Sequence, residues 1–235
     1  MRWRAAILTG VVLAAGASHP PAAGARALIV KPTQAVAMLL TAHKVTAGPH
    51  AGRSSAATVP SSRPITGERT ALPVTGEATA GSGARWLRVM LPGRPNGAEG
   101  WIEQRGTELT TTSWHLVVRR STRQVLVYGH GRLVRTYSAI IGKPSTPTPP
   151  GRFFVEEGIQ MLPGGVGAPY ALALSARSNV LQEFDGGPGQ IALHRLDNVG
   201  GQLGTAASHG CVRLSDSAVT WLAARIEPGV PVTIL

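Results

Sequence analysis

The residues best equipped for chemistry lie together near the end of the chain, in Ser208-His209-Gly210-Cys211-Val212-Arg213-Leu214. Cys211 is the single cysteine in 235 residues, so it has no partner for an intramolecular disulfide. A thiol that attacks a carbonyl needs a base or cation favouring the thiolate, donors for the oxyanion, and access. His209, Arg213 and the upstream His194 are candidates for base or positive charge. Gly210, with no side chain, lets the backbone pass close to a substrate. On cysteine count alone, a buried free thiol in a β-core is the commoner reading. The His-Gly-Cys-x-Arg surroundings and the upstream histidine turn the balance toward a nucleophile. A Zn²⁺ site from His194, His209 and Cys211 is the other chemistry these types allow. The one-residue gap between His209 and Cys211 is tight for two ligands, and no fourth ligand is evident, so we assign no metal.

These residues resemble the signature of the L,D-transpeptidases of the YkuD type: a histidine, a spacer, then Ser/Thr-His-Gly-Cys-apolar-Arg. Gly142-Lys143-Pro144-Ser145-Thr146-Pro147-Thr148-Pro149-Pro150-Gly151-Arg152-Phe153 is similar to that family's Gly-x-x-x-x-x-Thr-Pro-x-Gly-x-Phe loop. Leu172 to Phe184 and Pro228 to Ile234 also fit its catalytic domain, and the resemblance covers about residues 114 to 235. It implies that His194 is the general base and Cys211 the nucleophile. Gly210 and Cys211 would supply backbone N–H donors for the oxyanion. His209 would shape the pocket, Arg213 would position substrate or anchor its strand, and Ser208 would hydrogen-bond locally. The implied substrates are peptidoglycan stem peptides, a donor tetrapeptide and the diamino-acid amine of an acceptor. Cys211 would release the terminal D-alanine and the amine would take the acyl group, giving a 3→3 crosslink. Amide is exchanged for amide, so neither ATP nor a cofactor is needed. Water in place of the amine would make the site an L,D-carboxypeptidase, and carbapenem β-lactams are expected to acylate it. Two positions depart from the pattern. Arg195 follows the histidine where the family usually has a small residue, and Asp216 stands where Asn is frequent. If only the carbonyl of residue 195 serves, orienting the imidazole, a side chain pointing away is tolerated; one projecting into the cleft would narrow it.

Competing thiol enzymes fit less well. A papain-like wall endopeptidase places cysteine before histidine, and a sortase would carry Thr-Leu-x-Thr-Cys. A non-catalytic wall-binding protein, its site blocked by Arg195, stays open.

The start of the chain reads as an export signal: Arg2 and Arg4, an uncharged apolar run from Ala5 to Ala15, then small-x-small sites at Ala15-Gly16-Ala17 and Ala25-Arg26-Ala27. The run is short of the ~20 residues that span a bilayer, so we expect residues 1–27 to be a cleaved signal, with no stable membrane span afterwards and a secreted, cell-wall location. A lone thiol in an oxidising compartment fits chemical use. The chain has 23 Lys+Arg against 12 Asp+Glu. These cations are dispersed, without runs or aromatic interleaving, which argues against nucleic acid and for an anionic envelope as partner.

With 29 Gly and 18 Pro, short strands and turns are favoured over long helices. Residues 28–112 contain apolar runs at Val36–Leu40, Thr70–Val74 and Arg85–Leu91, a Pro92–Gly97 turn, and Gly100-Trp101-Ile102. This resembles a small SH3-like β-barrel that either binds wall or packs on the next domain; Trp86 and Trp101 suit core or ligand stacking equally. Residues 113–235 are expected to form a mainly β, YkuD-like β-sandwich catalytic domain. It opens on a meander from Trp114 to Ile141 that includes His115 at a strand edge and His130 in a turn. Strands follow at Ala171–Ser175 and Gln190–His194, the latter delivering His194. A stiff proline-rich loop at 142–151 would wall the cleft or merely connect. One helix should follow the nucleophile, capped by Ser215 or Asp216, with Val219, Leu222 and Ile226 facing the core and Pro228-Gly229 at its end.

Overall fold

The computed structural model describes residues 28–50, 57–165, 167–184, 186–196 and 199–235. The expected signal segment, residues 1–27, lies outside the described residues.

The first seven strands are β1 (Gln34–Leu39), β2 (His43–Val45), β3 (Ala57–Val59), β4 (Ala71–Thr79), β5 (Arg85–Met90), β6 (Glu99–Glu103) and β7 (Thr107–Thr112). Five of them form an antiparallel sheet in the order β6-β5-β4-β1-β7, and β2 with β3 makes a ribbon joined to it through a Thr46–Trp101 bridge. Only the middle of β5 alternates, since Trp86 and Met90 are buried as well. Leu87 and Val89 are fully buried in the sheet's core, whereas Arg88 is exposed and pairs with Glu99 at 2.8 Å. Trp86 is buried and Trp101 half-buried.

The remaining strands are β8 (Trp114–Arg119), β9 (Gln124–Gly129), β10 (Arg132–Ser138), β11 (Ile141–Gly142), β12 (Gly151–Gln160), β13 (Tyr170–Arg177), β14 (Gln190–Arg195), β15 (Ala206–Ser208), β16 (Val212–Leu214) and β17 (Pro231–Ile234). Eight of these form one sheet in the order β10-β9-β8-β17-β12-β13-β14-β16, and β11 pairs with β15. Leu116 on β8, Val155 on β12, Leu193 on β14 and Leu214 on β16 share a single core. Strands far apart in sheet order can meet in this way only if the sheet curls over itself, so the expected mainly β sandwich is found.

The one helix, α1 (Asp216–Ala223), is capped by Ser215, whose hydroxyl accepts from the Ala218 N–H. It buries Ala218, Val219 and Leu222 and ends sooner than Pro228 alone implies, with Ala224 as C-cap. Ile226 still reaches the core, from the turn beyond the helix, where its N–H and that of Arg225 both bond the Leu222 carbonyl. His115 is not on an edge. β8 lies between β9 and β17, and the His115 ring meets Thr233 Oγ1 at 2.8 Å.

Candidate active site

β14 and β16 run parallel, with Leu193 opposite Val212 and His194 opposite Arg213. Successive side chains on a strand point to opposite faces, so these pairings dictate what meets. Ile191, Leu193, Val212 and Leu214 enter the core. Gln190, His194, Arg213 and Cys211, just before β16, open on the other side, and all four line one cleft of about 550 Å³. His209, Phe184, Leu181 and Ile191 complete much of its wall. A groove of about 610 Å³ between Met38, Thr111, Trp114 and Arg225 contains none of the expected site residues.

His194 is nearly buried, and its Nδ1–H donates to the Arg195 carbonyl at 2.7 Å. That bond fixes the tautomer, leaving Nε2 as the atom with a free lone pair. Burial pushes the His194 pKa down, the Arg195 carbonyl opposes this, and Arg213 adds to it. The half-buried Cys211 has its pKa pushed up by burial, against smaller opposing effects of the Ala192 backbone and Arg213. Both shifts favour neutral forms, so the resting pair is thiol and imidazole rather than an ion pair. The sulfur sits 3.9 Å from the Gln190 carbonyl oxygen.

The backbone around Cys211 is braced from two directions. The Ser208 hydroxyl donates to the Cys211 carbonyl at 2.6 Å and accepts the Gly210 N–H at 3.1 Å. Gly210, one donor of the expected pair, therefore already has a partner in the Ser208 hydroxyl. Gly210 itself is required: its φ is +126°, and a Cβ there would come 3.0 Å from Ile191 Cδ1.

The proline-rich loop does more than connect. The buried Thr148 hydroxyl donates to the Gly210 carbonyl at 2.8 Å and accepts the Gly142 N–H at 2.9 Å. The Thr146 hydroxyl and the Lys143 N–H both reach the Ser208 carbonyl, at 3.3 and 3.0 Å. Threonines alternating with prolines were visible in sequence, but nothing there said that their hydroxyls face the cysteine segment. Gly167 was missed as well. It packs on the His194 ring, where a Cβ would meet Nδ1 at 2.7 Å.

His209 lies at the exposed rim, stacked on Phe184 with ring centroids 5.6 Å apart and Lys143 Nζ 3.4 Å from its Nε2. Arg213 lines the cleft and donates to the Gly200 carbonyl at 3.2 Å. Arg195 turns away and forms an ion pair with Asp216, so the two departures from the family pattern are partners. Among the described residues, no group of three His, Cys, Asp or Glu side chains is placed to hold a metal.

A mainly β fold that brings a lone cysteine and a carbonyl-oriented histidine to one face of paired parallel strands has the equipment of an acyl-transfer site. The particular kind follows from comparison with known proteins. A model of the L,D-transpeptidase catalytic domain, YkuD, matches residues 113–234, and the chain belongs to that family of transpeptidases. The YkuD protein of Bacillus licheniformis is 31% identical over 124 residues, 53% of this chain and 67% of that one. Its namesake from Bacillus subtilis is 29% identical over the same shares. Among solved structures, an L,D-transpeptidase from Mycobacterium smegmatis covers 65% of this chain and 90% of its own, at 16% identity and a TM-score of 0.42. An L,D-transpeptidase in complex with imipenem covers 71% and 91%, at 19% identity and 0.45.

Proposed function

We propose that the protein is an exported peptidoglycan L,D-transpeptidase that forms 3→3 crosslinks through an acyl-enzyme on Cys211. The observation that carries this reading is the His194–Arg195 carbonyl bond on the cleft face shared with Cys211, because it leaves Nε2 to take a proton. Since thiol and imidazole rest neutral, proton transfer accompanies attack. As the sulfur bonds to the carbonyl carbon of the third stem residue, its proton passes to His194 Nε2. The C–N bond to D-alanine then breaks, and the amine leaves with that proton. In the second half, an acceptor side-chain amine attacks the thioester, His194 takes the amine's proton, and the sulfur departs and recovers it. The Cys211 N–H would serve as oxyanion donor, and the Arg213 cation stabilises charge developing in the cleft.

Carbapenems would acylate the same sulfur by opening their strained amide, in keeping with the imipenem complex of a similar fold. The pairing of Arg195 with Asp216 speaks against a blocked, purely wall-binding role. Incubation with a disaccharide tetrapeptide, read by mass spectrometry, tests the proposal. A dimer one D-alanine lighter than two donors, absent with Cys211→Ala, is expected. Free D-alanine with tripeptide and no dimer would instead make the protein a carboxypeptidase, and no turnover at all would overturn the reading.

A further inference from the structure

The wall of the cleft that carries Leu181 and Phe184 is a twelve-residue connection, 178–189, between β13 and β14. A loop of this length with no element of its own needs support from outside. Among its described residues, the Ser178 N–H donates to the Gly189 carbonyl at 2.8 Å, tying the two ends together, and the Gly189 N–H donates to the Gly187 carbonyl at 2.8 Å. The Ser178 hydroxyl accepts the Val180 and Leu181 N–H groups, and Phe184 and Gly187 exchange a pair.

The outside support comes from the Pro92–Gly97 turn between β5 and β6. Among the described residues, Arg94 forms no ion pair. Its guanidinium donates to three carbonyls of the loop, those of Pro188 at 2.9 Å, Ser178 at 2.8 Å and Leu181 at 3.2 Å. Asn96 acts like a short strand: its amide donates to the Arg177 carbonyl at 2.7 Å and its oxygen accepts the Arg177 N–H at 2.8 Å. The same amide reaches Asn179 at 3.0 Å. Gly189 sits beneath Arg94 with a φ of +65°, where a Cβ would run into the Leu181 carbonyl oxygen. The loop's backbone is thus shaped to receive the turn.

A second link runs deeper. Glu156, buried on β12, pairs with Arg63 from the connection between β3 and β4, with Arg177 at 3.0 Å, and with the side chain of Gln190. Gln190 is the residue whose carbonyl faces the Cys211 sulfur.

We infer that Arg94 and Asn96, on the N-terminal sheet, are positioning residues of the cleft, holding loop 178–189 against the substrate acyl chain over Cys211. The N-terminal unit then works as part of the catalytic wall. The inference rests on the cleft being the active site. A guanidinium spread over three carbonyls fixes both ends of the loop at once, which a single ammonium cannot do. Freed from it, Leu181 and Phe184 would sample other positions, and binding of a substrate's stem would weaken more than the reactivity of the sulfur itself.

The test compares wild type, Arg94→Ala, Arg94→Lys and Asn96→Ala, with Arg88→Ala as a control on the same hairpin but away from the interface. Three quantities are read for each: the carbapenem acylation rate by intact mass, the iodoacetamide alkylation rate of Cys211, and amide hydrogen exchange in peptides spanning 178–184. Arg94→Ala should acylate about tenfold more slowly while alkylation by the small probe stays level or rises. Exchange in 178–184 should accelerate, and melting should stay near that of Arg88→Ala. Arg94→Lys should recover part of the loss. If Arg94→Ala and Asn96→Ala match wild type in acylation and in exchange, the inference is overturned. If wild type itself is not acylated, the active-site reading fails instead, and unchanged exchange in Arg94→Ala would then separately overturn the clamp.

Discussion

β14 and β12 flank the same strand in one sheet yet use their two faces in opposite ways. β14 keeps them largely distinct: Leu193 goes to the core, Gln190 and His194 open on the cleft, and Ile191 is buried where core and cleft wall meet. β12 buries both. Phe153 and Val155 enter the larger core, whereas Phe154 packs among Leu39, Leu87 and Ile102 of the N-terminal sheet. A register shift between Val155 and Glu157 then leaves two consecutive glutamates almost wholly buried, where Arg63 and Arg177 meet them. A strand with one wet face can host chemistry; a strand dry on both faces can weld two sheets together.

The largest effects should come from breaking the weld. Phe154→Ala should cost about 3–4 kcal/mol by emptying a site in the N-terminal core, read as a lowered denaturant midpoint. Equal stability would mean that Phe154 does not bridge the sheets. Glu156→Ala should cost about 3 kcal/mol, because Arg177 loses its carboxylate in a dry setting and Arg63 keeps only Glu157.

Next in size is an acid effect centred on His115. Its pKa is lowered to about 4, first by burial and then by Arg152, whereas an unfolded histidine titrates near 6.5. The unfolded chain therefore binds the proton first as pH falls. Stability from this group is complete above about pH 6.5 and is lost progressively down to about pH 4, by about 2 kcal/mol after discounting for partial exposure. Thermal melts across that range should show the decline, and His115→Gln should flatten it.

On the cleft side, Thr148→Val keeps the shape but leaves the Gly210 carbonyl and Gly142 N–H without their hydroxyl partner. About 1–2 kcal/mol of stability should go, with slower acylation. The smallest effect belongs to Arg195→Ser. Its ion pair with Asp216 joins two partly exposed side chains, worth about 1 kcal/mol, and the carbonyl that holds His194 remains, so acylation should stay within about twofold. A strong loss would mean that the Arg195 side chain acts in the cleft after all.

The same contrast separates what could be read from sequence and what could not. Gln190-Ile191-Ala192-Leu193-His194 alternates, so a strand ending in a cleft-facing histidine was legible. So was a helix cap at Ser215 or Asp216, a local hydrogen bond with a local signature that the structure gives to Ser215. Nothing local marks Glu156-Glu157 as buried, because one of its partners lies 93 residues away at Arg63. Pro92 to Gly97 was legible as a turn, but its docking through Arg94 and Asn96 depends on residues more than 80 positions distant. The Thr146 and Thr148 braces were hidden for the same reason, with their carbonyl partners 62 residues on. Periodicity and capping are written locally; contacts between sheets are not.

The most direct measurement of the central claim is the intact mass of the protein after exposure to a carbapenem, for wild type, Cys211→Ala and His194→Gln, across pH. The account predicts one drug-sized adduct on wild type, none on Cys211→Ala, and slow formation on His194→Gln. Because burial holds His194 neutral below the usual imidazole value, the wild-type rate should persist below about pH 6.5 before falling. An adduct that survives Cys211→Ala, or a wild-type protein that is folded yet never acylated, would contradict it.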